Sequence, residues 1–387
     1  MSFVKDIKRS DISPFLVMEA FREAHEVTKT GADVIHLSLG QPASKPPQQV
    51  LQKVAERMME DKLGYTDACG IPALRERIAK HYRDEYGLEV PAERVFITIG
   101  SSAAFFLSML CAFNPGDKLA IARPCYPAYP NMMKALDLVP VYLHTTTEDN
   151  FQPTVAMLEA LPEKPQGLVI ASPSNPSGTV IGPKRMKQLV EYCEQHGIRL
   201  ISDEIYHGVT YGQRETSSVL EHSQQMIIIN SFSKYYLLPG WRLGWVVMPE
   251  NLCRPYETML QNFFISPPAI AQHAALAVFE CKDELDEVVR GYAVNRQILL
   301  DELPKAGFNE LSPAEGAFYI YANVSSLTND SREFCRRMLN EAHVCAVAGL
   351  DFDKESGHAY VRFSFAGETA EIREAMERLK RWMNKTA

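Results

Sequence analysis

The sequence predicts an α/β fold: a mostly parallel central sheet flanked by helices, accompanied by a smaller α+β domain. Two observations carry that expectation. Through the middle of the chain short apolar runs alternate with segments of helical periodicity, the pattern of strands joined by crossover helices. Each of five such runs then breaks into a loop rich in Gly, Pro, Ser, Asn or Asp, and ligands of parallel sheets gather beyond the carboxyl ends of the strands.

The first run, 95–99, leads into Gly100-Ser101-Ser102 and then an apolar helical stretch at 103–113. A glycine turn, two hydroxyls and a helix start make an anion site, because the N–H groups of the first turn lack intrahelical partners. Simple N-capping by Ser101 or Ser102 is the other reading. The next run, 118–122, ends in Arg123-Pro124-Cys125-Tyr126-Pro127, where proline stops the ladder. Tyr126 there either stacks on a flat ring or fills the core. Residues 168–172 precede Pro173-Ser174-Asn175-Pro176-Ser177-Gly178, a rigid turn whose Asn175 either forms the turn or donates to a phenolic oxygen.

Residues 198–202 lead into Asp203-Glu204-Ile205-Tyr206. A carboxylate at the end of a buried strand is costly unless it meets a cation, either a structural arginine or a protonated ring nitrogen. Tyr206 lies close enough in sequence to face the same place. The fifth run, 226–229, delivers Ser231-Phe232-Ser233-Lys234 and then Pro239-Gly240-Trp241-Arg242-Leu243-Gly244. A lysine amine at a strand end, with hydroxyls before it and an arginine after it, suits a covalent imine to an aldehyde that carries a phosphate. Together the loops hold an anion nest, an aromatic plate, an amide, an acid and a lysine, and this set describes pyridoxal 5′-phosphate.

With these motifs the chain resembles the fold-type I pyridoxal-phosphate enzymes and, within them, the class I/II aminotransferases of the aspartate aminotransferase type. The resemblance runs from Leu37-Ser38-Leu39-Gly40-Gln41-Pro42, through Tyr65-Thr66-Asp67-Ala68-Cys69-Gly70-Ile71-Pro72, to Val361-Arg362-Phe363-Ser364. It implies that Lys234 bonds the cofactor aldehyde, Asp203 pairs with the pyridine nitrogen, and Asn175 and Tyr206 contact the ring oxygen. It further implies that Tyr126 stacks on the ring and that Ser101, Ser102, Ser231 and Arg242 hold the phosphate. Tyr65 matches a tyrosine that reaches the phosphate from the neighbouring subunit of a homodimer. Arg362, with the Gly40 backbone and Asn175 beside it, matches the arginine that grips the substrate α-carboxylate, a task a bidentate guanidinium performs better than an ammonium.

The resemblance also implies a large cofactor domain at 45–280 and a small domain made of 1–44 and 281–387, a long helical stretch at 282–303 marking the change. Three places depart from the family. Ser102 stands where many aspartate-preferring relatives carry lysine, the stretch 348–353 replaces a Pro-Gly-x-x-Phe-Gly pattern at the substrate entrance, and Tyr235-Tyr236-Leu237-Leu238 is bulky.

Composition bounds the rest. The chain has 387 residues, 46% hydrophobic and 23% charged, enough for a large core and more than one domain. Its net charge of −8 offers nothing to a polyanion, so no nucleic-acid partner is expected. Residues 1–6 lack the apolar core of a secretory leader, and no apolar stretch approaches the ~20 residues of a membrane span, so a cytoplasmic protein with no membrane association is expected. Eight scattered cysteines without a C-x-x-C pair suit a reducing compartment and argue against a metal site.

The expected reaction is ping-pong transfer of an amino group from an L-amino acid to a 2-oxo acid, with aspartate, an aromatic or a broad set as donor. Lys234, Asp203 and Tyr206 are its expected catalytic residues. A C–S β-lyase or a cyclopropane-forming synthase would share the cofactor residues, though Pro239-Gly240-Trp241-Arg242 leans towards transamination. A cofactor-sensing regulator would need an added DNA-binding domain, for which the chain leaves no room.

Overall fold

A computed structural model describes residues 8–212 and 216–386. Residues 1–6, considered above for a leader, lie outside that range. The large sheet is built from β1 (Val95–Thr98), β2 (Lys118–Arg123), β3 (Val139–His144), β4 (Gly167–Ala171), β5 (Arg199–Asp203), β6 (Ile227–Ser231) and β7 (Gly244–Val247), in the order β1-β7-β6-β5-β4-β2-β3. The pairs β3–β2, β2–β4, β4–β5 and β5–β6 are parallel; β7 runs antiparallel to both β6 and β1. This is the α/β architecture expected from the alternating pattern.

The strands read as unbroken apolar runs because both sheet faces are covered. Leu168, Ile170, Leu200 and Ile228 point into one core, whereas Val169, Ile201, Ile227 and Ile229 point into the other. Each of these side chains is 2% exposed or less, and full burial of one such residue stabilises by roughly 1.5–3 kcal/mol. A one-residue slip in any strand would exchange these sets, so the register that fixes where each strand ends is firmly held.

A second, antiparallel sheet comprises β8 (Glu310–Leu311), β9 (Tyr319–Asn323), β10 (Val347–Ala348) and β11 (Tyr360–Ser364), ordered β10-β11-β9-β8. The N-terminal segment joins it: Ile35–His36 pairs in parallel with Val344–Cys345, and Ser364 N–H donates to the Leu37 carbonyl at 2.7 Å. These bonds set Ser38 and Gly40 next to Arg362 on β11.

The helix after β1 starts earlier than its apolar pattern suggested, at Gly100 instead of residue 103, and runs to Ala112. Gly100 makes the turn by itself at φ +73°. In consequence Ser101 and Ser102 stand inside the first turn; the N-cap is Ile99, with no side-chain cap, so capping does not account for the two serines.

Candidate active site

A cleft of about 410 Å³ opens at the carboxyl ends of β4, β5 and β6, between the large sheet and β9 and β11. Lys234 projects into it from the loop after β6. Its Nζ donates to the Gly40 carbonyl at 2.6 Å and lies 5.5 Å from the Tyr206 ring centroid and 5.8 Å from that of Phe318. Burial and the Arg362 charge lower its pKa to about 8, against an opposing pull from Asp203. An amine so placed is a competent nucleophile and proton carrier near neutrality.

Asp203 ends β5 and is 4% exposed. Its Oδ2 accepts the Tyr129 hydroxyl and its Oδ1 the Ile205 N–H at 3.1 Å. Burial raises its pKa to about 6, and these two hydrogen bonds and Lys234 pull the other way. A buried acid held by neutral donors retains charge to offer a ligand cation.

Arg362 is 3% exposed and bridges the loop after β4 and the N-terminal segment. Its Nη1 donates to Asn175 Oδ1 at 2.7 Å, its Nη2 to the Ser38 carbonyl at 2.6 Å, and its plane lies over Tyr319 at 4.4 Å and Phe352 at 4.7 Å. Its Nε is buried and has no partner among the described residues. Tyr206 shares a 2.7 Å hydroxyl–hydroxyl bond with Tyr319.

At the other end of the cleft Ser101, Ser102 and Arg242 line the start of the Gly100–Ala112 helix. A Cβ on residue 100 would stand 2.5 Å from Arg242 Nη2, so glycine is what admits the guanidinium to the helix N-terminus. Serine hydroxyls, free helical N–H groups and a guanidinium form an acceptor for a doubly charged oxyanion.

A strand-end lysine, a buried acid behind it, an oxyanion cradle and a carboxylate-sized arginine fork thus share one cleft. The sequence profile of Aminotransferase class I and II matches residues 32–379. The chain belongs to this family. It is similar to the valine–pyruvate aminotransferase of Mycobacterium tuberculosis, 41% identical over 378 residues that cover 97% of each protein. The solved structure of an aminotransferase from Mycobacterium tuberculosis superposes with a TM-score of 0.97 at 40% identity, covering 99% of this chain and 100% of the other. That of aspartate aminotransferase from Thermus thermophilus with maleate gives 0.89 at 28% identity, covering 98% and 100%. The protein is a transaminase with the aspartate-aminotransferase-like fold.

Within this aminotransferase the cleft is lined by Gly40, Ser101, Ser102, Tyr126, Asn175, Asp203, Tyr206, Lys234, Arg242 and Arg362. Two expected residues stand apart. Ser231 is buried behind the cleft, its Oγ accepting Ser233 N–H at 3.0 Å and donating to the Leu243 carbonyl at 3.4 Å, and Ser233 lines the cleft instead. Tyr65 is 86% exposed and lines no part of the cleft of its own chain.

Three contributors escaped the sequence reading. Tyr129 stands in the first turn of the Ala128–Ala135 helix, three residues after Tyr126, and its hydroxyl donates to Asp203. Tyr319 lay in an aromatic strand run that reads as core. Asp351, in the divergent stretch 348–353, accepts the N–H groups of Leu16 at 2.8 Å and Val17 at 3.2 Å. It thereby caps the Leu16–Lys29 helix, which lacks a side-chain cap of its own, and sets Val17 and Met18 at the mouth of the cleft.

Proposed function

We propose that this aminotransferase uses pyridoxal 5′-phosphate and takes an amino donor with an apolar side chain. The observation that carries the donor assignment is the cleft wall: Val17, Met18, Leu39, Phe105 and Ile205 are apolar, and the cations lining it are Lys234, Arg242 and Arg362. With Arg242 at the oxyanion cradle and Arg362 on the α-carboxylate, none of the described lining residues is left to pair a second substrate carboxylate. Ser102 stands where a lysine would supply one. A desolvated side-chain carboxylate without a partner costs roughly 1.5–3 kcal/mol or more, about ten- to a hundredfold or more in kcat/KM. The valine–pyruvate aminotransferase resemblance supports the same reading.

The residues fit the cofactor. Ser101, Ser102 and Arg242 would hold its phosphate, Tyr126 its ring face, Asn175 and Tyr206 its phenolic oxygen, Asp203 its ring nitrogen, and Lys234 its aldehyde carbon. Bound there, the cofactor supplies a carbonyl to condense with the amine and a conjugated ring to accept electrons from Cα. Arg362 fixes the α-carboxylate, and the Asn175 bond keeps the guanidinium from turning away. Lys234 Nζ would take the proton from the substrate Cα and return one. The Tyr206–Tyr319 pair holds one side of the cleft in place, and Asp203 would set its negative charge against the ring nitrogen. One carboxylate fork serves both donor and acceptor, so the 2-oxo acid product leaves before the second 2-oxo acid binds: ping-pong order.

The active unit we propose is a homodimer. Tyr65, Met59, Phe263 and Ile265 are 86%, 90%, 55% and 55% exposed. Gln272 ties two of the segments that bear them, donating to Thr66 Oγ1 at 3.0 Å and the Pro267 carbonyl at 3.1 Å. A two-fold partner would cover this apolar face and take up Tyr65 at its phosphate cradle. In the same reading residues 45–280 are the cofactor domain, and 1–44 with 281–387 the small domain that carries Arg362. A cytoplasmic setting is supported by the eight cysteines, all free of disulfides.

A half-reaction screen tests the donor. Each amino acid is added to the holoenzyme and conversion of the cofactor absorbance followed; valine and other apolar donors should exceed aspartate by at least about tenfold in kcat/KM. Equal or faster turnover of aspartate would overturn the apolar assignment.

A further inference from the structure

A second cavity, of about 190 Å³, lies where the long helix Lys282–Glu302 meets the loop after Lys234, and it shares no lining residue with the active-site cleft. The bulky Tyr235 and Tyr236, which depart from the family pattern, form part of its wall together with Tyr86 and Phe279. Arg77 and His81, four residues apart on the Pro72–Tyr86 helix and therefore on one face, stand on its polar side with His207 and Asn230.

Neither Arg77 nor His81 is spoken for. The Arg77 guanidinium sits 4.2 Å from the Phe279 ring centroid, makes no ion pair with a described residue, and leaves Nη1 buried without a hydrogen-bond partner. His81 is boxed by the rings of Tyr82, Tyr86, Tyr236, Trp245 and Phe279, all within 6.5 Å, and makes no hydrogen bond to a described residue. Burial drives its pKa down to about 4, so the imidazole is neutral and keeps one N–H to donate. The other charged groups at the cavity have hydrogen-bond partners in its wall. Lys282 Nζ pairs with Glu85 at 2.5 Å, and the Tyr235 hydroxyl donates to Asp286 at 2.6 Å.

A guanidinium with no ion-pair partner among the described residues and an unpartnered Nη1, beside a neutral imidazole N–H within an aromatic box, suits an acceptor with a single negative charge on an apolar body. A second negative charge would meet Glu85 and Asp286. For size, a cavity of ~150 Å³ accepts benzene. We propose that this cavity is a second small-molecule site for a flat or branched monocarboxylic acid of benzoate size, its carboxylate on Arg77 and His81 and its body against Tyr86, Tyr236 and Phe279. Because Tyr235 follows Lys234 and holds Asp286 of the long helix, an occupant touches the loop that begins at the active-site lysine.

The probe is 4-fluorobenzoate, titrated into the holoenzyme and followed by fluorine NMR. Arg362 in the cleft also attracts carboxylates, so the decisive measurement uses the Arg362→Leu holoenzyme, in which one site per chain should remain. Adding Arg77→Leu should weaken that site by about tenfold or more, the loss of a charge-assisted hydrogen bond. Lys282→Glu, at an exposed helix start at the mouth, replaces the cation paired with Glu85 by a second carboxylate and should weaken it severalfold, which keeps the test open should Arg77→Leu disturb its helix. Binding abolished by Arg362→Leu alone, binding indifferent to both Arg77→Leu and Lys282→Glu, or none at about 10 mM probe, a Kd too weak to count as a site, would overturn the proposal.

Discussion

Asn175 Oδ1 accepts a hydrogen bond from Arg362 Nη1 at 2.7 Å, joining the loop after β4 to β11 across 187 positions of sequence. The bond fixes two orientations at once. The amide oxygen is engaged by the guanidinium, so the Asn175 NH₂ is the end left for the cleft. The guanidinium in turn is pinned at Nη1 and Nη2, with Nε unpartnered among the described residues, and its Cζ lies 4.4 Å from the Tyr319 ring centroid and 4.7 Å from that of Phe352.

Arg362→Lys should therefore raise KM for every amino acid and every 2-oxo acid alike. Lysine retains the charge but loses the planar fork and the contact to Asn175, a loss of roughly 1.5–3 kcal/mol or about ten- to a hundredfold. Steady-state kinetics with one donor and one acceptor varied in turn is the check. A change confined to one substrate would mean that Arg362 reads the side chain.

Lys234→Ala should lower turnover by at least about a thousandfold, since no other cleft amine stands where the proton must be moved. The fold should survive, because the one hydrogen bond lost, to the Gly40 carbonyl, lies in the cleft and not in a core. Activity assays beside thermal melts separate these. Loss of the visible absorbance of the lysine-bound cofactor should accompany the loss of activity.

Capture of the cofactor by the apoprotein should depend on pH in two steps. Only the neutral amine attacks an aldehyde, and with its pKa lowered to about 8 Lys234 is half neutral at pH 8, where an ordinary lysine is neutral to only about 0.3%. The rate should rise with pH through about 8. Asp203 must be ionised to attract the ring nitrogen, so affinity should fall as pH drops through about 6. Tyr129→Phe removes a donor that holds the Asp203 pKa down, and it should shift the acid limb to higher pH while leaving the alkaline limb in place. An unshifted acid limb would show that Tyr129 is only packing.

How far the sequence spoke for this site follows from chemistry. The strand ends at Asn175, Asp203 and Lys234 were legible because sheet register forces buried apolar runs to stop where polar residues start, and these residue types have few reasons to stand there. Arg362 and Gly40 were reached only through resemblance, since nothing local relates residues more than 300 positions apart. Tyr129 and Tyr319 were hidden because a buried tyrosine looks like core until its hydroxyl partner is known. The start of the Gly100–Ala112 helix was misjudged because a single glycine at positive φ turns the chain without the usual polar cap. Ser231 carried the right chemistry for a phosphate, but two residues of loop geometry bring Ser233 to the surface of the cleft and turn Ser231 to its support.

Tyr65 offers the last test, of the homodimer. At 86% exposure its ring is out of place on a monomer surface, and Met59 and Ile265 are open as well. In a two-fold dimer each cradle of Ser101, Ser102 and Arg242 would receive the partner's copy of this residue. Tyr65→Phe should then weaken cofactor retention without altering the lysine chemistry, a hydroxyl-to-phosphate bond being worth roughly 1.5–3 kcal/mol. Mixing Tyr65→Phe with Lys234→Ala chains should produce hybrids in which one site is built from both changed residues and the other from none, so the mixture recovers a share of wild-type retention and turnover that neither parent shows. Sedimentation of the active species should give twice the chain mass. Full activity in a species sedimenting as a single chain, or hybrids no better than their parents, would mean that Tyr65 serves neither cofactor nor partner.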